Sequence, residues 1–150
     1  MTKQTINTHV RWMIRRDMPE VVDIEWLSFK DYWTEDDFLR VLRGRNTIGK
    51  VAEVGETIIG FLVYEIKKNG MDILNLAVHP NWRRKGIGSA LVNDLKTKIR
   101  RRPRMRIVLS DSNLDGHLFI KAMGFAAVEV LPGYFENGED GYKFVYRLEE

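Results

Sequence analysis

Residues 78–91 read Val78-His79-Pro80-Asn81-Trp82-Arg83-Arg84-Lys85-Gly86-Ile87-Gly88-Ser89-Ala90-Leu91, and they are the most informative segment of the chain. The apolar run Ile73–Val78 before it is typical of a buried strand. The residues after Gly88 predict a helix, because Leu91, Val92 and Leu95 recur at helical spacing. The chain therefore passes from a strand into a helix through a turn that holds three cations and two glycines.

This turn combines three features that bind anions. Glycines let the backbone approach a ligand without a Cβ in the way. The start of a helix leaves N–H groups unpaired and carries a partial positive charge. We therefore expect an anion cradle, suited to a pyrophosphate. The cradle consists of seven consecutive residues: Arg83, Arg84, Lys85, Gly86, Ile87, Gly88 and Ser89.

Two other phosphate motifs fit the sequence less well. A dinucleotide fingerprint has a third glycine or alanine where this chain has Leu91, and no βαβ repeat accompanies it. Residues 44–50 spell most of a P-loop, but Val51 replaces the serine or threonine that would bind magnesium. The predicted order, helix then strand, is also the reverse of a P-loop.

Length and composition predict one domain over residues 1–150, with residues 1–9 as a loose leader. No cysteine is present, which excludes disulfides and thiolate sites, and three scattered histidines give no metal cluster, so we expect no metal. No run approaches the roughly 20 apolar residues of a membrane span, and no signal-peptide core is visible. We expect a cytoplasmic protein without a membrane partner, either a monomer or a weak dimer.

The net charge of +3 is mild, but seven cations fall between Lys96 and Arg106. They suit a solvated helix end, the adenosine phosphate of a cofactor, or RNA. No aromatic residue lies among them to stack on bases, so we do not expect nucleic acid as a partner.

Periodicity predicts an α/β fold. A strand at Val10–Arg15 precedes two helices, which begin near Asp17 and Thr34. Turn signals at Gly55-Glu56 and Asn69-Gly70 join the next three strands. The cradle helix extends to about Arg101, followed by a strand at Met105–Leu109 parallel to the one before the cradle. A fourth helix, capped by Ser112-Asn113, and two closing strands around a glycine-rich loop complete the chain.

The residues Arg83-Arg84-Lys85-Gly86-Ile87-Gly88 match (Arg/Gln)-x-x-Gly-x-(Gly/Ala), and the chain thereby resembles the GNAT N-acetyltransferases. Four further segments resemble the family in order: Phe61–Glu65, Ile73–Pro80, Ser112-Asn113 and Lys121–Phe125. The resemblance runs from about residue 12 to the C-terminus and is greatest to bacterial ribosomal-protein alanine N-acetyltransferases. It implies a mixed, mostly antiparallel sheet of about six to seven strands, splayed at the cofactor cleft, with helices on both faces.

The resemblance also implies acetyl-CoA as cofactor, with CoA as product. The cradle would hold the pyrophosphate, and the pantetheine arm would pair with the strand backbone at Leu76, Ala77 and Val78. The N–H of Ala77 or Val78 would stabilise the oxyanion. Asn113 matches a family asparagine that contacts the cofactor, although a plain helix cap explains it equally well.

The chain departs from the alanine acetyltransferases at the catalytic pair. Their general base is a glutamate on the strand before the Ser-Asn cap, where this chain has Ser110 or Val108. Their general acid is a tyrosine, which aligns with Ile120. Asp72, Asp111 and Tyr134 are candidate substitutes, although each is also explained by an ordinary structural role. Tyr134 and Trp33 are further expected to line the acceptor site.

Together these features predict transfer of acetyl from acetyl-CoA to a primary amine. The expected acceptor is a protein or peptide N-terminus, ribosomal proteins being one class. Three alternatives stay open: a small amine or lysine as acceptor, a non-catalytic acyl-CoA-binding module, and an RNA-associated protein that uses the basic cluster.

Overall fold

The computed structural model of the chain describes residues 7–98 and 104–148. Most of the predicted leader, and the centre of the basic cluster at residues 99–103, therefore lie outside the described residues. The elements follow in the order β1 (His9–Trp12), α1 (Met18–Ser28), α2 (Glu35–Leu42), β2 (Thr47–Val54), β3 (Thr57–Lys67), β4 (Gly70–Val78), α3 (Ile87–Lys96), β5 (Arg104–Ser110), α4 (Leu114–Ala122), β6 (Ala126–Leu131) and β7 (Gly141–Arg147). Short 3-10 turns precede α1 and α3.

Within the described residues the strands form one seven-stranded sheet in the order β1-β2-β3-β4-β5-β7-β6. β1 runs antiparallel to β2, and β7 runs antiparallel to both of its neighbours. β4 and β5 are parallel, with Met71 opposite Met105 and Ile73 opposite Ile107. The predicted fold class, a mixed and mostly antiparallel sheet with helices, is confirmed. No helix in the described part of the chain has the length and apolar character needed to span a bilayer.

The chain contacts cluster into two compact units that share the long strands β3 and β4. The first unit contains the described residues up to Val63 together with Asn75–Leu95. The second contains Tyr64–Leu74 and the described residues from Lys96 onward. That residues 1–150 form a single domain stays a prediction.

The core of the first unit packs α1 and α2 against β2 and β3. Val21 and Ile24 of α1 are buried beside Phe38 of α2 and Phe61 of β3. The rings of Phe38 and Phe61 meet edge to face, with centroids 5.4 Å apart. The helical spacing of these apolar residues is what buries one face of each helix.

Of the two predicted N-terminal caps of α1 and α2, one is correct and one is wrong. Thr34 caps α2 as predicted, since its Oγ1 accepts from the N–H of Asp37 while the Asp37 carboxylate accepts from the N–H of Thr34. Asp17 precedes α1, but its side chain does not cap that helix. The carboxylate instead accepts from Arg11 and from the N–H of Ile14, because a 3-10 turn intervenes.

Two predicted boundaries are too long. β1 ends at Trp12 rather than Arg15, because Arg15 begins the 3-10 turn that leads into α1. The cradle helix ends at Lys96 rather than near Arg101. Lys96 turns inward there, and its Nζ donates to Met123 O at 2.7 Å.

Residues 47–50 belong to β2, which confirms that residues 44–50 are not a P-loop. The Lys50 side chain is buried, with its Nζ 3.6 Å from Asp94 Oδ2 and 5.7 Å from the centre of the Trp12 ring. A buried, paired lysine in a strand has no access to a nucleotide phosphate.

The second unit is built around β5 and β7. Met105, Ile107, Ile120 and Phe144 are buried there. The glycine-rich loop between β6 and β7 folds back on itself, since Phe135 N–H donates to Glu139 O at 3.1 Å. This loop also reaches the end of β5, where Asp111 N–H donates to Asp140 O.

Candidate functional site

The predicted cradle lies between the end of β4 at Val78 and the start of α3 at Ile87. The backbone leaves β4 through the 3-10 turn Pro80–Trp82, which the His79 side chain caps by accepting from Asn81 N–H at 3.1 Å. Two residues then take a left-handed conformation, Arg84 with φ 62° and Gly86 with φ 82°. This conformation bends the chain towards the helix, and turns of this kind form the anion-binding nests of phosphate sites.

Gly86 shows that the cradle has room for a ligand. A Cβ built at Gly86 would meet no atom of the described residues within 4 Å, so among them the space beside the backbone is open. Arg84, Lys85 and Gly86 are exposed. Open space, positive side chains and the free N–H groups of a helix start suit a diphosphate. The residues present therefore fit the pyrophosphate of a coenzyme.

Close packing in the first unit fixes the start of α3. Ile87 and Leu91 are buried against Gly60 of β3. A Cβ at Gly60 would lie 3.2 Å from both Ala77 O and Ile87 Cγ2, so a larger residue would push α3 away from the sheet. The position of the cradle is thus set by packing beneath it.

Arg83 connects the cradle to the rest of the first unit. Its Nε donates to Val78 O at 3.0 Å, and Nη2 donates to Ser28 Oγ at 3.1 Å. Ser28 is the last residue of α1. Arg83 therefore ties the end of β4 to the end of α1, which makes it a bracing residue of the cradle.

The sequence reasoning missed a buried carboxylate, Glu25 of α1. Glu25 is 1% exposed, and its two oxygens accept from Trp33 N–H and from Asn75 Nδ2, each at 2.8 Å. The Asn75 side chain in turn accepts from Leu76 N–H at 2.9 Å. This network joins the loop that carries Trp33 to the part of β4 that precedes the cradle.

Burial raises the pKa of Glu25, and the two N–H donors offset only part of that effect. A carboxylate that stays buried despite the free-energy cost of desolvation often belongs to a functional site. One signal for Glu25 was available from its spacing: Glu25 follows Ile24 and lies four residues after Val21, on the buried face of the helix.

Trp33, the predicted acceptor-site residue, is half-buried in the first unit. Its ring lies 5.0 Å from that of Phe38, edge to face, and packs against the core. One side of Trp33 is therefore anchored, and the half that stays accessible could contact an acceptor.

The remaining catalytic candidates belong to the second unit. Asp72 of β4 pairs with Arg106 of β5, with 2.5 Å between carboxylate oxygen and Nε. Asp111 is exposed directly after β5. Ile120, which aligns with the family tyrosine, is 1% exposed in the core. The structure thus brings Asp72 into an ion pair and gives Ile120 a packing role.

Asn113 caps α4 as predicted, since its Oδ1 accepts from Gly116 N–H at 2.9 Å. A contact of Asn113 with the cofactor stays a prediction. Tyr134 is 55% exposed on the β6–β7 loop, and its ring meets that of Phe135 edge to face. Tyr134 is therefore accessible to an acceptor, as a pocket residue requires.

The same loop places a carboxylate that the sequence reasoning did not single out. Ser110 and Ser112 both donate a hydroxyl to Glu139 Oε2, the latter at 2.7 Å. Because Glu139 is 27 residues from Ser112, no local pattern could have found the contact.

The described members of the basic cluster are partly engaged within the protein. Lys96 lies 4.3 Å from the centre of the Tyr146 ring, and burial lowers the pKa of Lys96. Arg106 pairs with Asp72, whereas Arg104 is exposed. Lys96 and Arg106 are consequently less available to an external polyanion than their sequence spacing implied.

Comparison with known proteins agrees with the predicted resemblance. The model of the acetyltransferase (GNAT) family matches residues 18–125. An N-alpha-acetyltransferase of Sulfurisphaera tokodaii is 25% identical over 142 residues, covering 84% of each chain. A putative ribosomal protein bS18-alanine N-acetyltransferase of Bacillus subtilis is 28% identical over 137 residues, covering 87% of this chain and 89% of its own.

The fold also matches a solved structure. Arabidopsis thaliana NAA60 in complex with acetyl-CoA superposes with a TM-score of 0.80 over 95% of this chain and 99% of its own. The two sequences are 21% identical, so this likeness supports the fold alone.

Proposed function

The chain belongs to the acetyltransferase (GNAT) family, and from this membership we propose that it acetylates the N-terminal α-amine of a protein or peptide. Enzymes of this family use acetyl-CoA as the acetyl donor. The observation that carries the proposal is the cradle, where Gly86 at φ 82° opens beside the start of α3. The N–H groups of residues 84–89 would hold the diphosphate, and Ala77 and Val78 would face the thioester.

The choice of a protein N-terminus is supported by two relatives. One is named an N-alpha-acetyltransferase and the other a putative ribosomal-protein alanine N-acetyltransferase. An α-amine has a pKa near 8, so a useful fraction is neutral at pH 7 without any base. Positioning of that amine beside the thioester can then supply a large share of the rate. We propose that Trp33 and Tyr134 contact the acceptor.

Asp72, Asp111 and Tyr134 remain proposed proton-transfer groups. Asp72→Asn and Asp111→Asn should lower turnover while leaving acetyl-CoA affinity nearly unchanged. Steady-state kinetics and calorimetric titration with acetyl-CoA measure these two quantities separately. If neither substitution changes turnover, neither carboxylate takes the proton.

A panel of acceptors tests the proposed function directly. The panel contains peptides with a free N-terminal alanine, the same peptides with a blocked N-terminus, a lysine-bearing peptide whose N-terminus is blocked, and small amines. We expect CoA release only with free N-termini, and mass spectrometry should place the acetyl group on the α-amine. Acetylation of blocked lysine peptides or of small amines instead would refute an N-terminal acceptor.

The buried position of Ile120 favours one second candidate, an acyl-CoA-binding protein without catalysis. This candidate predicts acetyl-CoA binding with no CoA release for any member of the panel.

We propose that the reaction takes place in the cytoplasm, consistent with a chain that has no cysteine to form disulfides. We also propose that the protein is a monomer or a weak dimer.

A further inference from the structure

An apolar groove of about 430 Å³ lies in the first unit, beside the end of β1, the start of α1, the end of α2 and the start of β2. We call it the α2 groove. All of its lining residues precede Lys50, so the groove shares no residue with the cradle. Its large apolar lining residues include Trp12, Ile14, Met18, Leu39 and Leu42.

Close packing supports the α2 groove from below. Met18 is buried in the core of the first unit, and Met13 and Leu42 pack against that core. Gly49 of β2 makes room for both, because a Cβ there would lie 3.1 Å from Met13 Cβ and 3.2 Å from Leu42 Cδ2. The groove is therefore shaped by the core beneath it.

Two large apolar side chains of the α2 groove stay exposed to solvent. Trp12 is 69% exposed and Ile14 is 48% exposed. Burial of such side chains against a partner is favourable, because apolar surface leaves water. Tryptophan, methionine and arginine are enriched where proteins meet, and the lining contains all three types, in Trp12, Met18 and Arg15. The composition of the groove is thus that of an interaction surface.

The segments that form the α2 groove carry cations and no carboxylates. Residues 12–16 and 38–50 contain no aspartate or glutamate. Arg15, Arg43 and Arg45 are exposed, and no ion pair within the described residues engages them. Carboxylates of a partner would complement these three charges, and such complementarity selects one class of partner over others.

We propose that the α2 groove binds an acidic segment of another protein. A bulky apolar side chain of that segment enters the groove, and its carboxylates pair with Arg15, Arg43 and Arg45. Residues 1–6 of this chain are a poor match, because they contain a lysine and no carboxylate. The inference does not depend on the proposed acetyl transfer.

Three fluorescein-labelled peptides test the binding with the full-length protein in the absence of acetyl-CoA. In the first, glutamate and leucine alternate; in the second, lysine replaces every glutamate; in the third, serine replaces every leucine. All three have a blocked N-terminus, so none can act as an acceptor. Fluorescence anisotropy should show that the first peptide binds at least about tenfold tighter than the other two. Its affinity should fall as salt is added, because exposed charges are screened.

A substitution in the α2 groove locates the bound peptide. Ile14→Asp places a carboxylate in the apolar lining and should weaken binding of the first peptide by about tenfold or more. Leu118→Asp is the matched control, because Leu118 is 58% exposed on α4 in the second unit. It should keep the affinity of the wild type.

A second pair of variants tests the charges. The double substitution Arg43→Glu and Arg45→Glu should weaken the first peptide by about tenfold or more and favour the lysine peptide. The double substitution Lys30→Glu and Lys68→Glu changes the net charge equally at two other exposed positions and should keep the affinity of the wild type. A thermal melt of each variant separates loss of folding from loss of binding, and the charge variants carry the test if Ile14→Asp does not fold.

Equal affinity for the three peptides would overturn the inference, as would binding that neither set of groove variants weakens. Binding of the first peptide only after removal of residues 1–6 would assign the groove to this chain's own leader. Sedimentation that shows self-association of the wild type but not of Ile14→Asp would assign it to a second copy of the chain. Either of these last two results would also overturn the inference.

Discussion

Glu25 Oε1 accepts a hydrogen bond from Asn75 Nδ2 at 2.8 Å, which joins α1 to β4 across 50 residues of sequence. The other Glu25 oxygen accepts from Trp33 N–H. A single buried carboxylate therefore fixes the loop that carries a proposed acceptor residue relative to the strand that leads into the cradle.

Asn75→Ala should destabilise the protein by leaving Glu25 Oε1 buried without its donor. A buried polar group that loses its partner costs about 1–3 kcal/mol, and more when it is charged. Urea unfolding measures the change in the free energy of unfolding. Asn93→Ala, at an exposed position on α3, is the matched control and should change stability little. Equal stability of the two variants would show that the Asn75 contact contributes nothing.

The raised pKa of Glu25 predicts how stability depends on pH. The folded state holds the Glu25 proton more tightly than the unfolded state, whose glutamate pKa is near 4.5. Glu25 therefore contributes its full stabilisation below that pKa and loses it as pH rises through the raised folded pKa. The free energy of unfolding of the wild type minus that of Glu25→Gln should fall with rising pH. A difference that grows between about pH 4 and pH 7 would contradict this assignment.

Asp17 should show the opposite dependence. Burial acts to raise the pKa of Asp17, but the hydrogen bonds from Arg11 and Ile14 N–H outweigh it and hold the pKa below its ordinary value of 3.8. Stabilisation by Asp17 is therefore present above that value and is lost as the pH falls through the lower, folded pKa. Asp17→Asn should cost about 1–3 kcal/mol at neutral pH, because it removes the charge of a buried carboxylate that accepts from the half-buried Arg11.

The Asp17 measurement uses urea unfolding of both proteins over a range of pH. The difference in the free energy of unfolding between wild type and Asp17→Asn should become smaller as the pH falls. Asp36→Asn, at an exposed position in α2, serves as the control and should shift stability far less. A gap that stays constant down to the lowest pH would mean that the Arg11–Asp17 pair does not set the pKa.

Gly86→Asp should abolish acetyl-CoA binding. A side chain at Gly86 would enter the open space beside the cradle, and its carboxylate would repel the diphosphate. Gly55→Asp is the control, because Gly55 has φ 61° and open surroundings in the hairpin between β2 and β3. Both substitutions carry similar backbone strain, of about 1–2 kcal/mol. Calorimetric titration with acetyl-CoA should show that Gly86→Asp loses affinity and Gly55→Asp keeps it. If the two variants bind acetyl-CoA with similar affinity, the diphosphate binds elsewhere.

The sequence predicted those parts of the site that are contiguous. The strand, glycine turn and helix of the cradle lie within residues 73–96, so their spacing was visible in one window. Thr34 and Asn113 were also identifiable, because a helix cap is a contact over three residues. The resemblance to one family then supplied the approximate number of strands and the mixed, mostly antiparallel character of the sheet.

The contacts of the carboxylates could not be read in this way. Glu25 meets Asn75 across 50 residues, and Glu139 meets Ser112 across 27 residues, so only the tertiary fold brings them together. Asp17 shows the same limit at short range. The position of Asp17 predicted a helix cap. In the structure its carboxylate pairs with Arg11 instead and does not cap α1.

A structure of the protein with acetyl-CoA bound would locate the diphosphate. We expect the diphosphate oxygens within hydrogen-bond distance of the backbone N–H groups of residues 84–89, with the thioester carbonyl facing Ala77 or Val78. A complex in which the diphosphate binds at any other part of the molecule would contradict this expectation.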